Sequence, residues 1–540
     1  MLATSFATTV LISSQTLPHW TYLRLDRTTV VQSSCADMDE GRSLLNPREP
    51  SPEATFNKSK LFLAVFAAVL GNFNFGYSLV YPSPVLPVLQ GPDADPRLRM
   101  DTSQAALFGS IYMLGVACGG LGAMLLNDLI GRKLSIMVSA IPSAIGYLLL
   151  GGATELWMLH LGRFLTGVAG GVTAASIPVY ISEISHKSLR GALGTCPQIT
   201  AVFGALALYA LGLVLPWRWL AVAGGVPALL MVLLLVFMPY SPRRLLSLDR
   251  AEQAERALHW LRGADYDIQS ELDAIKHSIR LQSRVSWYEL AKPVYYRPIL
   301  ISVGMRFLQQ LTGISPILVY LEPIFSQSNV SLEPRYDAAI VGLVRLVSVS
   351  LAAVLMDKAG RKALLYTSSF LMFLATLTLT VTSHTTPYQP RPTPQNFTAS
   401  MERNLHSDVT WLASNQTPAG PIPIISVVIF IFGYAMGWGP ITWLLMSEVL
   451  PLGVRGVASG LCVTVSWLTA FVLTDAFTHL VDSYGLYVPY SIFTVVCVVC
   501  LLFTAWCVPE TRGRSLEEIE NYFRARRFTI NHDHVNALAT

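Results

Sequence analysis

Twelve apolar runs, each about 20 residues long, constrain this chain more than any other feature, because a helix of that length covers the hydrocarbon core of a bilayer. They fall at about 61–81, 105–126, 134–152, 156–180, 192–215 and 218–238, then at 299–321, 337–356, 363–383, 421–446, 456–478 and 486–508. In lipid each backbone N–H and C=O must find its partner inside the protein, so such runs fold as helices. Charged residues make up 13% of the chain, against about 25% in ordinary globular proteins, which excludes a string of soluble domains. The expected fold class is an all-α membrane protein: twelve transmembrane helices in two six-helix halves, joined by a helical central loop.

The domains follow: a tail at 1–60, a first half at 61–238, a linker at 239–298, a second half at 299–508 and a tail at 509–540. The linker holds ten of the 38 Lys and Arg residues. Within it Ala254, Leu258 and Leu261 recur at i, i+4, i+7, which predicts short amphipathic helices. Charge sets the orientation. With the termini inside, 23 basic residues occupy the inner loops and C-terminal tail and six the outer loops, so both tails and the linker are expected in the cytosol. Glu40 followed by Leu44 and Leu45 has the Glu-x-x-x-Leu-Leu form of an acidic dileucine signal read by clathrin-adaptor complexes. The outer loop 384–420 carries glycosylation sequons at Asn396 and Asn415.

Two motifs occur twice, in the same order in each half. Asp128-Leu-Ile-Gly-Arg132-Lys133 is matched by Asp357-Lys-Ala-Gly-Arg361-Lys362, and Ser182-Glu183 with Arg190-Gly191 by Ser447-Glu448 with Arg455-Gly456. The spacing from Gly131 to Ser182 is 51 residues and from Gly360 to Ser447 is 87; the outer loop accounts for the excess of 36. Duplicated halves in one orientation are the parallel repeat of a secondary transporter, with substrate bound between them. Glu183 and Glu448 end helices and Arg190 and Arg455 open them, where the helix dipole opposes each charge. Acid–base pairing across helices, latching the cytosolic face, makes sense of both placements.

These paired motifs resemble those of the sugar porter family of the major facilitator superfamily. So do Leu161-Gly-Arg-Phe-Leu-Thr-Gly167, Pro239-Tyr-Ser-Pro-Arg243, Gln309-Gln-Leu-Thr-Gly313, Gly439-Pro-Ile-Thr-Trp443 and Pro509-Glu-Thr-Arg-Gly513. A short first outer loop with a long sequon-bearing loop after span nine is similar to the class III facilitative glucose transporters. The resemblance implies the major facilitator fold, a hexose or related polyol as substrate, and a lysosomal or endosomal membrane with cycling to the plasma membrane. It also implies a sugar site at Gln198, Gln309, Gln310, Trp443 and Trp467, with Ser315 and Ser466 where relatives usually carry Asn.

Amides suit hydroxyls, as donor and acceptor at once. Gln309, Gly313, Pro316 and Tyr320 share one face of a regular helix, and Gly and Pro there would let it break and line a cavity. Arg345 stands near the middle of span eight, where an unpaired arginine costs ~2.5–3.5 kcal/mol on insertion scales. We expect it to face the cavity, at a position where relatives often carry Asn. Asp128, Arg132, Glu183, Arg190, Asp357, Arg361, Glu448 and Arg455 are the expected gating residues. No catalytic, metal or cofactor constellation and no nucleic-acid surface stands out, and the seven cysteines read as packing thiols. Span one holds no Asp or Glu, which favours uniport over proton-coupled symport. A non-transporting membrane sugar sensor is the alternative from another class.

Overall fold

The computed structural model describes residues 58–186, 189–263, 266–280, 292–327, 334–385, 422–451, 455–512, 519 and 522–523. Glu40, Leu44, Leu45, Asn396 and Asn415 lie outside the described residues, as do the side chains of Asp357 and Arg455.

The first half comprises α1 (Lys58–Val80) extended by α2 (Pro82–Leu89), α3 (Thr102–Leu129), α4 (Arg132–Val138) with α5 (Ala140–Gly151), α6 (Leu156–Ile184), α7 (Arg190–Gly212) and α8 (Trp217–Val236). Three linker helices follow, α9 (Pro242–Ser247), α10 (Ala251–Arg262) and α11 (Ile268–Arg280). Ala254, Leu258 and Leu261 are buried on α10. Arg262 is buried too, donating to the carbonyl of Ile184 at 3.0 Å and pairing with Glu271 at 2.8 Å, which pins the linker to the end of α6.

The second half comprises α12 (Pro293–Leu311), α13 (Ile314–Val319), α14 (Leu321–Gln327), α15 (Pro334–Ala359), α16 (Arg361–Thr385), α17 (Ile422–Met436), α18 (Pro440–Val449), α19 (Arg455–Tyr484) and α20 (Tyr487–Trp506). Among the described residues eleven helices are long and apolar enough to cross a membrane. Span seven makes the twelfth in pieces. Its helix stops at Leu311, turns through Gly313 at φ 87°, and resumes as α13. A Cβ on Gly313 would sit 2.3 Å from the ring of Phe493, so both conformation and space require glycine. Because the break intervenes, Gln309 and Tyr320 do not share one continuous helix face, as regular spacing predicts. The result is the twelve-helix major facilitator fold, its outward apolar side chains such as Leu125, Leu148 and Val214 exposed for lipid.

Close approaches of backbone hold the first half together. A Cβ on Gly76 would lie 1.7 Å from the carbonyl oxygen of Ala201, so α1 and α7 touch main chain to main chain. Between the halves, α3 runs beside α19 and α7 beside α15.

Candidate functional site

Two adjacent amides, Gln309 and Gln310, stand just before the break in span seven, and their hydrogen bonds reach α13, α17, the break after it and α19 of the second half. Both are buried. Gln310 Nε2 donates to Ser466 Oγ of α19 at 3.1 Å, and its Oε1 accepts from Ser315 Oγ of α13 at 2.6 Å. The two serines that replace asparagines of relatives thus meet the same amide. Gln309 Nε2 donates to Tyr434 Oη at 2.9 Å and to the carbonyls of Trp438 and Gly439, at 2.7 and 3.3 Å. Those carbonyls lie at a second break, Gly437 to Gly439, between α17 and α18, and also accept from Thr442 Oγ1 at 3.1 and 3.4 Å. Buried Trp438 closes that break by donating Nε1 to Ser369 Oγ at 2.6 Å.

Arg306, one turn before Gln309, completes the cluster. Its guanidinium lies 3.9 Å from the centre of the Trp443 ring, and its Nη1 donates to Gln309 Oε1 and, at 3.5 Å, to Thr442 Oγ1. Arg306 is not among the substrate-binding residues expected from sequence. The available signal was a formal charge inside an apolar run, one helical turn from an amide. Trp443 is partly exposed, whereas Trp467 is buried, edge-on to Phe75 at 5.5 Å between ring centres. The indole Nε1 of Trp467 has no hydrogen-bond partner among the described residues. Gln198 is half-buried on α7, and its neighbour Ile199 packs on the same buried cluster of Val202, Val349 and Ala435 as Leu346, the residue after Arg345. Arg345 is buried, with Tyr209 of the first half and Tyr434 of the second as its titratable neighbours. Of the substrate-binding residues expected from sequence, Gln309, Gln310, Ser315 and Ser466 are joined by position and hydrogen bonds, and Trp443 through Arg306, whereas Gln198, Arg345 and Trp467 make no hydrogen bond to them among the described residues; Tyr434 and Arg306 are added by the structure. Amides, hydroxyls and indole faces can hold a polyhydroxylated ring by hydrogen bonds and C–H packing.

A duplicated polar cluster occupies the basic face. Arg132 pairs with Glu183 at 3.1 Å, and Arg361 with Glu448 at 3.3 Å. A third strand of chain meets each acid. Ser241 Oγ donates to Glu183 at 2.5 Å, and Thr511 Oγ1 donates to Glu448 at 2.6 Å. Pro239-Tyr-Ser241 and Pro509-Glu-Thr511 are thus the same device in the two halves. Lys133 Nζ donates to the carbonyls of Val236 and Met238, and Lys362 Nζ to that of Ala505, tying each loop to the end of the sixth helix of its half. The turn glycines Gly131 and Gly360 adopt φ 88° and 89°. Arg190 and Asp128 are exposed; Asp128 contributes its carbonyl, which accepts from Arg244.

The opposite end is closed by bonds between the halves. Tyr209 Oη donates to Leu318 O at 3.0 Å, Tyr320 Oη to Ala106 O at 3.3 Å, the Glu322 amide to Ser83 Oγ at 3.2 Å, and Ser110 Oγ to Asp475 at 3.3 Å. Tyr320 stacks on Phe477 at 5.8 Å and lies where a Cβ on Gly109 would be, 2.2 Å from its hydroxyl.

Residues 63–523 match the family described as "Sugar (and other) transporter". The chain is 58% identical over 492 residues to human "Solute carrier family 2, facilitated glucose transporter member 6", covering 89% of this chain and 96% of that one. The mouse protein of the same name is 58% identical over 485 residues, covering 90% and 95%. Among solved structures, the partially occluded inward open conformation of the xylose transporter XylE from E. coli is similar at a TM-score of 0.68 and 22% identity, covering 85% of this chain and 100% of that chain.

Proposed function

Because the chain belongs to the sugar transporter family, and is a class III glucose transporter, we propose that it carries a hexose or related polyol across a membrane by facilitative, alternating-access uniport. The observation that carries this is the polar seat built by Gln309, Gln310, Ser315, Ser466 and Trp443 at the two helix breaks of the second half. The basic face is cytosolic by the positive-inside rule, so the end joined by Tyr209, Tyr320 and Ser110 is the outer one. The Arg132–Glu183 and Arg361–Glu448 clusters, each within one half, hold the loops of the cytosolic face in the arrangement that gating changes. The dileucine-like Glu40-Leu44-Leu45 addresses the carrier, through clathrin adaptors, to a lysosomal or endosomal membrane, and Asn396 and Asn415 are glycosylated on the luminal side.

Uniport is supported by Arg163, a fully buried cation in the first half. It donates to the carbonyls of Ser78 and Phe108 and lies 4.6 Å from the Tyr112 ring, with no carboxylate beside it on α1. Asp475, bonded to Ser110 across the halves, is the carboxylate that favours proton coupling as the second reading. Entrance counterflow in proteoliposomes tests transport itself. Preloaded unlabelled hexose is expected to drive transient uptake of labelled hexose, and Trp443→Ala to abolish most of it. Counterflow at the level of empty liposomes across a panel of hexoses and polyols would overturn the reading and leave a binding-only sensor.

A further inference from the structure

Three buried N–H donors around the seat lack acceptors among the described residues: Arg306 Nε, Arg345 Nε and Trp467 Nε1. Each belongs to a residue more than nine-tenths buried. They stand on three helices, α12, α15 and α19, around the polar cluster of Gln309, Gln310 and Tyr434. All three are donors. A ligand that satisfies them must be rich in acceptors, whereas a neutral hydroxyl supplies donors as well.

Charge points the same way. The titratable neighbours of Arg306 are Tyr434 and Cys462, and those of Arg345 are Tyr434 and Tyr209, all neutral groups; neither guanidinium forms an ion pair with a carboxylate among the described residues. Two buried cations thus act on one tyrosine hydroxyl, and among the described residues no carboxylate pairs with either. Arg306 spends one Nη on Gln309 and stacks on Trp443, so its cation sits at the indole face where a sugar ring would pack. Tyr209 comes from the first half and Tyr434 from the second, which places the positive region between the halves, where an alternating carrier holds its substrate.

We propose that Arg306 and Arg345 select an acidic monosaccharide, a pyranose bearing one carboxylate or phosphate, over neutral hexoses. The inference rests on the sugar-transport reading and narrows its substrate. The ring occupies the Gln310, Trp443 and Trp467 side, and the anionic oxygens accept from the two guanidinium groups, a charge-assisted contact stronger than one to a neutral hydroxyl.

The test uses the full chain in proteoliposomes loaded for counterflow, with D-glucuronate, its neutral amide, D-glucose and glucose 6-phosphate as competitors. Glucuronate or glucose 6-phosphate is expected to compete at concentrations at least tenfold below those needed for the amide or glucose, and the comparison between the two acids assigns the anion as carboxylate or phosphate. Arg345→Gln or Arg306→Gln, each sized to keep a polar side chain, should bring acid and amide within about twofold. Equal potency of acid and amide in the wild type needs no variant to interpret and overturns the proposal while leaving hexose transport intact. So does an acid preference that survives in both variants. Failure of every sugar, neutral and acidic, overturns the proposal together with the transport reading beneath it.

Discussion

Gln310 is gripped from two sides by hydroxyls on different helices, 2.6 Å from Ser315 and 3.1 Å from Ser466, so its amide is pre-oriented for a ligand. Gln310→Ala leaves both serines without that partner and removes a donor and an acceptor from the seat. A lost buried hydrogen bond is worth about 1–3 kcal/mol when its partner stays unsatisfied, so transport efficiency should fall about tenfold or more, read as kcat/KM for counterflow. An unchanged value would remove Gln310 from the seat. The amides and serines were legible in the sequence because they lie together in one motif or match positions of relatives. Arg306 was not. Its role depends on Trp443, which only the second break, at Gly437 to Gly439, brings within 3.9 Å.

The helices were the easiest elements to read, since twenty apolar residues leave the backbone few choices. The break in span seven was legible from Gly313 and Pro316 as a possibility of bending; its position depends on the positive φ of Gly313 and the ring of Phe493 packed against it. Gly313→Ala forces a left-handed conformation on a residue with a Cβ and displaces that ring. Strain of about 1–3 kcal/mol is expected, seen as a lower melting temperature and reduced transport, and full stability would show that the break tolerates a side chain. On the basic face the repeat predicted which residues recur, but not that each acid takes its base from the D-x-x-G-R-K loop of its own half. Glu448→Gln keeps the shape and removes the charge facing Arg361. Cysteine labelling of the basic-face cavity should then rise above wild type. Equal labelling would mean that the cluster anchors the loops and does not gate.

The whole molecule alternates only if the closed end can open, and the hydrogen bonds that join the halves there, though buried, are individually weak. Tyr209 to Leu318 and Tyr320 to Ala106 are single hydrogen bonds to carbonyls, each worth about 1 kcal/mol, which suits a gate rather than a weld. Location is a property of the whole molecule as well. Leu44→Ala with Leu45→Ala is expected to shift the carrier from internal vesicles to the cell surface, visible by surface labelling, and unchanged vesicular staining would argue against adaptor recognition. Direction of coupling could be read from sequence only through the acid-free first span. Asp475 was hidden in that reading, because its bond to Ser110 joins segments far apart in the chain. The most direct measurement is uptake of labelled substrate into proteoliposomes with and without an imposed pH gradient. Uniport predicts that the internal concentration rises to the external one and stops there, with the gradient changing neither the rate nor the plateau. Accumulation above the external concentration, abolished by a protonophore, would contradict it and make the carrier a proton-coupled symporter.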